Sequence, residues 1–262
     1  MDFKATTQQY RRLINRYLRH ALASQTKAAG LVRAMRYAVF PGGKRIRPLL
    51  MMAASDLLGI RPDDILPAAC GVELIHNFSL IHDDLPCMDN DDMRRGKPSC
   101  HRKFGQATAL LAGDALLALG LGEIAACAGE KAVIRAAQAL GPDGMAGGQY
   151  LDIIYSGKSI SGATKRWINR KKTGELFSLC FEIPAIKAGL RSKRSRILIN
   201  IGQVFGEAFQ VIDDMKDSEG DRKQQKKMLE HLRRKFERGL SSISRQETFL
   251  GFLARSIFSS FE

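Results

Sequence analysis

The sequence predicts an all-α protein, with helices packed around a single core, and three observations carry that reading. Apolar residues recur at three- and four-residue intervals, as in the stripes Leu13, Tyr17, Leu18 and Leu31, Met35, Val39. Runs of alternating β-branched residues, the mark of half-buried strands, are missing, so almost no sheet is expected. Glycine and proline breaks fall at Pro41-Gly42-Gly43, Gly59 to Pro62, Leu85-Pro86, Gly96 to Pro98, Gly141-Pro142 and Gly157, and the stretches between them have helical length.

Taken in order, residues Met1 to His20 are polar and charged with no apolar run of the kind a secretory signal needs, and their stripe makes a surface helix. Val72 to Ile81 is an apolar helical run. Pro86 disfavours helix at Leu85, so that run ends beside Asp83 and Asp84. Ala107 to Ala128 is the most apolar stretch, but it contains Asp114 and Glu123; a buried helix accounts for it better than a membrane span does. After Gly220 the chain turns strongly basic, yet Leu229, Leu232, Phe236, Leu240 and Ile243 still mark one helical face, so this tail packs. No repeat and no linker divides the chain, which reads as a single domain, 1–262.

Composition bounds the function. A hydrophobic share of 45% excludes wholesale disorder. The five cysteines form no CxxC pair, which suits reduced thiols in the cytoplasm. The net charge of +14 fits three kinds of partner: nucleic acid, an anionic membrane, or phosphorylated small molecules.

Two aspartate clusters narrow the choice. The first, His82-Asp83-Asp84-Leu85-Pro86-Cys87-Met88-Asp89-Asn90-Asp91-Asp92, places carboxylates at a helix C-terminus, the unfavourable end of the macrodipole, where they need a cation. The second is Phe209-Gln210-Val211-Ile212-Asp213-Asp214-Met215-Lys216-Asp217; in a helix Asp213 and Asp217 are i, i+4 neighbours that repel. All-oxygen ligands of this kind suit Mg²⁺, which keeps several waters and bridges to phosphates, whereas no Cys/His spacing suits zinc. Cations stand nearby in sequence: Gly42-Gly43-Lys44-Arg45-Ile46-Arg47-Pro48, Arg94-Arg95-Gly96-Lys97 and Lys171-Lys172-Thr173-Gly174. Metal ions together with arginines and lysines are the machinery expected around a diphosphate leaving group.

At these residues the sequence resembles the trans-prenyl diphosphate synthases of the short-chain, farnesyl or geranylgeranyl diphosphate synthase type. Ser79 to Pro98 looks like their first aspartate-rich motif, including a two-residue insertion between Asp84 and Asp89. Gly42 to Pro48, Gly147-Gly148-Gln149 with Asp152, Lys172-Thr173-Gly174 and Phe209 to Asp217 match further motifs in family order, so the resemblance spans roughly residues 30 to 220. It implies an all-α bundle around a deep central cavity, a homodimer, and Mg²⁺-dependent condensation of isopentenyl diphosphate with an allylic diphosphate. Asp83, Asp84, Asp89, Asp213, Asp214 and Asp217 would bind Mg²⁺. Lys44, Arg47, His76 and Arg95 would hold isopentenyl diphosphate, and Arg94, Lys172, Thr173 and Gln210 the allylic diphosphate. Asp83, Asp84, Asp89, Arg94, Lys172 and Asp213 would form the catalytic set. Phe78 and Ser79, about one turn below Asp83 at ~1.5 Å per residue, would form the floor that sets product length, C15 with C20 as the alternative.

The chain departs from the family after Asp217, where a loop of glycines and lysines gives way to a basic helix, and the C-terminal part beyond about 220 is shortened. A lysine of that loop normally closes over the allylic diphosphate; Lys223, Lys226 or Lys227 could replace it. Two other readings stay open: a weak or inactive partner subunit, and a nucleic-acid-binding helical protein, against which the paired carboxylate clusters count.

Overall fold

The computed structural model describes residues 2–23, 26–40, 42–189, 192–216 and 221–259. Several of its helices begin at side-chain caps. Asp2 accepts from the amides of Lys4 and Ala5 and starts α1 (Phe3–Ala21), which buries Tyr10, Ile14 and Leu18. Then follow α2 (Ala29–Val39), α3 (Ile46–Asp56), α4 (Pro62–Asp83), α5 (Cys100–Phe104) and α6 (Gln106–Ala128). Gly129, with φ +76°, turns the chain into α7 (Glu130–Leu140), which is followed by α8 (Met145–Tyr155) and α9 (Gly162–Asn169). A π turn, Arg170–Gly174, leads directly into α10 (Glu175–Ala188). Last come α11 (Lys193–Lys216), α12 (Arg222–Ser241) and α13 (Phe249–Phe258), the final two capped by Asp221 and Thr248.

Among the described residues the only sheet is a pair of two-residue strands, β1 (Met93–Arg94) and β2 (Lys97–Pro98), joined antiparallel through Arg95 and Gly96. Both joining residues have positive φ, +53° and +76°, as a two-residue hairpin with the right twist requires.

The Cα packing groups the chain into two compact units, Met1–Leu49 with Leu66–Cys127, and Leu50–Ile65 with Ala128–Glu262. In the first, α4 and α6 cross with almost no spacing: a Cβ added at Gly71 would lie 2.6 Å from the Gly120 carbonyl, and one at Gly120 would lie 2.7 Å from that of Gly71. A second notch at Gly113 receives the His82 ring, whose Nε2 lies 3.1 Å from the Leu110 carbonyl oxygen. The glycines of α6 thus set how closely the aspartate end of α4 is held.

The second unit is built on α10, α11 and α12, packed in that order, with α7 against α10 and α13 against α12. Phe177, Phe181, Phe205, Phe236 and Phe258 are buried there in mutual ring contact, each stabilising the unit by roughly 1.5–3 kcal/mol through burial. Leu229, Leu232, Phe236 and Leu240 of α12 are buried, so the basic tail packs as its periodicity predicts.

One expectation needs correction. The α6 helix is buried on one face only: Ala109, Ala112, Leu116 and Ile124 are inside, while Leu110 and Leu111 are 45% and 55% exposed. By length and composition alone α4 and α6 could each cross a membrane, and only 28% of the most apolar stretch of α6 is buried within the protein.

Candidate active site

The first aspartate cluster is shaped by the end of α4. The helix stops at Asp83, and the chain then doubles back so that the Asp89 amide donates to the Asp83 carbonyl at 2.9 Å, with the Asn90 amide on the Leu85 carbonyl at 3.1 Å. Pro86 ends the helix as expected, and Asp89 returns to the level of Asp83. Asp84 is 2% exposed, and burial raises its carboxyl above the usual range against the opposing pull of Arg94. Arg94 Nε donates to Asp84 Oδ1 at 2.8 Å, while its Nη2 bonds Asp84 and, at 2.8 Å, Asp91. Arg94 therefore stands on β1 as the counter-charge of the cluster.

The hairpin carrying Arg94 and Arg95 is pinned to α2. Lys97 Nζ donates to the carbonyls of Tyr37 (2.8 Å) and Phe40 (2.6 Å), and the Tyr37 hydroxyl donates to that of Pro98 at 2.7 Å. Lys97 is thus a strut. Arg95 extends over Gly43, where an added Cβ would sit 3.2 Å from its guanidinium, which joins the glycine turn to the hairpin.

Within the turn the cations separate. Arg45 is buried: its Nη1 meets Glu73 Oε1 at 2.7 Å, its Nη2 the Val39 carbonyl at 2.8 Å and its Nε Asn15 Oδ1 at 3.1 Å. Lys44 is exposed and Arg47 half-buried. His76, one helical turn before Leu80 on α4, is held well below the ordinary histidine range by burial and then by the charges of Arg47, Arg95, Arg45 and Arg94. The charges of Arg47, Arg95, Arg45 and Arg94 thus all act on His76, and Arg94 at the same time holds Asp84. The three non-glycine residues with positive φ among the described residues, Arg45, Asn90 and Arg95, all lie in these loops, at a typical cost of ~1–3 kcal/mol each.

In the second unit, Lys172 and Thr173 lie within the π turn, a bulge that re-aims side chains and is common at functional sites. Lys172 Nζ donates to Asp152 Oδ2 of α8 at 2.7 Å. Gly148 lets α8 come this close, since a Cβ there would stand 2.4 Å from the Lys172 amide nitrogen. Sequence reading grouped Gly147-Gly148-Gln149 with Asp152, but only the packing shows that Gly148 makes room for the lysine. Gln210 is half-buried on α11. Asp213 and Asp214 belong to the last turn of that helix, but their side chains, and Asp217 entirely, lie outside the described residues. The segment 217–220, on which the lost-loop expectation falls, lies outside them too. Phe78 is half-buried with its ring edge-on to His82 at 4.7 Å, and the Ser79 hydroxyl donates to the His76 carbonyl at 3.0 Å.

Among the described residues no three acidic, histidine or cysteine side chains converge into a ready metal cage. Mg²⁺ needs none, because it uses one or two carboxylates and fills its shell with water and phosphate oxygens. The donor set of Asp83, Asp84 and Asp89, with Asp84 buried against a cation, fits that ion.

Residues 29–234 match the Polyprenyl synthetase family. The chain belongs to that family. It is 42% identical over 200 residues to a farnesyl diphosphate synthase of Geobacillus stearothermophilus, covering 73% of this chain and 67% of that protein. It is 41% identical over 196 residues to the chloroplastic heterodimeric geranylgeranyl pyrophosphate synthase large subunit 1 of Arabidopsis thaliana, covering 70% of this chain but 53%, about half, of that one. The structure of an FPP/GFPP synthase from Zymomonas mobilis superposes with a TM-score of 0.89 at 33% identity, over 98% of this chain and 99% of that one. The all-α fold is therefore that of the polyprenyl synthetases.

Proposed function

We propose that this chain condenses isopentenyl diphosphate head-to-tail with dimethylallyl or geranyl diphosphate, releasing pyrophosphate and forming a short-chain prenyl diphosphate, farnesyl diphosphate in the first instance. The observation that carries this reading is the Arg94-Arg95 hairpin, which sets Arg94 on Asp84 and Asp91 and Arg95 over the Gly43 turn that leads to Lys44 and Arg47. A second anion site in addition to a carboxylate cluster is what a two-substrate reaction needs and a one-substrate cyclisation does not.

Asp83, Asp84, Asp89, Asp213, Asp214 and Asp217 would hold Mg²⁺, which would supply positive charge to the leaving diphosphate. Arg94, Lys172, Thr173 and Gln210 bind and orient the allylic diphosphate; Lys44, Arg47, His76 and Arg95 hold isopentenyl diphosphate. The allylic C–O bond breaks, its electron pair leaving with pyrophosphate, and the double bond of isopentenyl diphosphate attacks the cationic carbon. A proton then passes to the released pyrophosphate, so no side chain needs the tuned pKa of a general base. His82, seated in the Gly113 notch and bonded to the Leu110 carbonyl, keeps the end of α4 in place. The ring of Phe78 closes the floor beneath the growing chain.

The exposed Leu110 and Leu111 on α6 support a homodimer, since an apolar helix face of this kind calls for a partner surface. The match to a solved synthase over 98% of the chain supports a single polyprenyl synthase-like domain, 1–262. Cys70, Cys87, Cys100, Cys127 and Cys180 form no disulfide among the described residues, which is compatible with the cytoplasm.

Incubation with labelled isopentenyl diphosphate, each allylic starter and Mg²⁺, followed by product sizing, tests the reading. Absence of turnover with every starter would overturn it in favour of a non-catalytic partner subunit.

A further inference from the structure

The π turn that carries Lys172 and Thr173 is held from two sides. On one side Lys172 meets Asp152 of α8. On the other, Arg135 of α7 donates from Nη2 to Glu175 Oε2 at 2.7 Å, and its Nε lies 2.5 Å from Glu182 Oε2. Glu175 is the residue immediately after the turn, and its second oxygen accepts from Lys171 Nζ at 2.6 Å. The side chains of Arg135, Glu175, Glu182 and Lys171 are only 25%, 13%, 9% and 19% exposed, so two cations and two carboxylates form a closed, mostly buried, neutral chain.

Burial alone would push the Glu175 carboxyl up; the Lys171 and Arg135 contacts outweigh it and hold it below the usual range. Glu182, deeper in, stays raised by burial despite Arg135. Desolvating such groups costs several kcal/mol per ion, and apolar residues would stabilise the same helix contact at least as well. What the charged chain adds is geometry. Arg135 is a rigid fork that clamps two carboxylates at once, and Glu175 passes that constraint to Lys171. Lys171, Lys172 and Thr173 are consecutive in the π turn, so holding Lys171 on Glu175 fixes the backbone from which Lys172 and Thr173 leave it.

We propose that Arg135, which lies outside every family motif named above, is a positioning residue that acts through Glu175 and Lys171 to aim Lys172 and Thr173, a role resting on the prenyltransferase reading of that site. The test uses the full chain carrying Arg135→Gln, Glu182→Gln, or both. The double variant removes the clamp without stranding a buried charge at position 182, and it keeps the experiment informative if Arg135→Gln alone does not fold. Steady-state kinetics should show the KM for the allylic diphosphate raised about tenfold, with the KM for isopentenyl diphosphate unchanged within twofold. Hydrogen exchange at the amides of residues 170–174 should accelerate at least tenfold while the remainder of α10 stays protected. A uniform fall in kcat with both KM values unchanged, or unaltered exchange at residues 170–174, would overturn the proposal and leave Arg135 a stabilising residue only. If the wild-type chain shows no turnover with any starter, the prenyltransferase reading fails by itself, and the exchange measurement still decides whether Arg135 holds the turn.

Discussion

Replacing Gly148 by alanine tests how closely the site depends on the contact between α8 and the π turn. The new Cβ would stand 2.4 Å from the Lys172 amide nitrogen and 2.9 Å from the Lys171 carbonyl carbon, where ordinary contact begins at 3.4 Å. The obstacle is backbone, so α8 and the turn must part by the difference, 3.4 − 2.4 = 1.0 Å. Two effects on stability oppose each other. Alanine in a helix interior gains ~1 kcal/mol over glycine, while overpacking costs ~1–3 kcal/mol; the net loss is at most ~2 kcal/mol, a shift of a few degrees in Tm. The effect on catalysis is larger, because a misplacement of ~1 Å costs about 100-fold in rate, or ~2.7 kcal/mol at 1.36 kcal/mol per tenfold. Kinetics with the allylic substrate varied and isopentenyl diphosphate saturating, set beside melting followed by circular dichroism, separates the two. Gly30→Ala is the control: its Cβ would meet nothing nearer than 3.9 Å, so it should gain up to ~1 kcal/mol and leave the kinetics unchanged. A Gly148→Ala enzyme that melts normally and keeps the wild-type kcat/KM for the allylic diphosphate would refute the idea that this contact sets the position of Lys172.

Three further outcomes are expected. Asp83→Ala or Asp213→Ala should lower turnover by about 10³-fold or more, ~4 kcal/mol of transition-state stabilisation, with the helical circular dichroism retained; near-normal activity in either would remove that residue from the metal site. Phe78→Ala should lengthen the main product by at least one five-carbon unit, read by chromatography of the dephosphorylated alcohols, and an unchanged distribution would take Phe78 out of the floor. The histidine at 76 predicts acid sensitivity. Its native pKa is depressed, so below the unfolded-state value of ~6.5 the unfolded chain takes up a proton that the native state refuses, and stability falls by up to ~1.4 kcal/mol per pH unit. The loss runs from about pH 6.5 down to the depressed native value. Urea unfolding at several pH values should show a shallower acid dependence in His76→Gln than in wild type, and equal slopes would contradict the assignment.

Much of the first aspartate cluster was legible because its causes are local. Pro86 ends α4 and Asp89 comes back to Asp83 within six residues, whereas the hairpin at Arg95-Gly96 was marked only by the break at Gly96 in a chain expected to hold almost no sheet. The second unit's tail was legible for the same reason, since the burial of Leu229, Leu232, Phe236 and Leu240 follows from their spacing. Where the cause is distant, the sequence was silent. The exposed face of α6 carries leucines as apolar as the buried ones, so no periodicity marks Leu110 and Leu111 as outside. The Gly71 and Gly120 notches are visible only once two helices cross.

Cations show the difference most sharply. Arg45 and Arg47 stand two residues apart in one motif and look equivalent, yet Arg45 is buried on Glu73, Val39 and Asn15 while Arg47 stays half-buried. Lys97 spends its charge on two backbone carbonyls, and Arg135 answers to carboxylates 40 and 47 positions further on. A net charge of +14 is therefore a sum over unlike parts: struts buried on partners within the fold, and the cations of the proposed diphosphate site. Which acceptors the fold brings to a cation is decided by non-local contacts. Composition can report an excess of positive charge, but only the tertiary contacts divide it between holding the fold and holding the substrate.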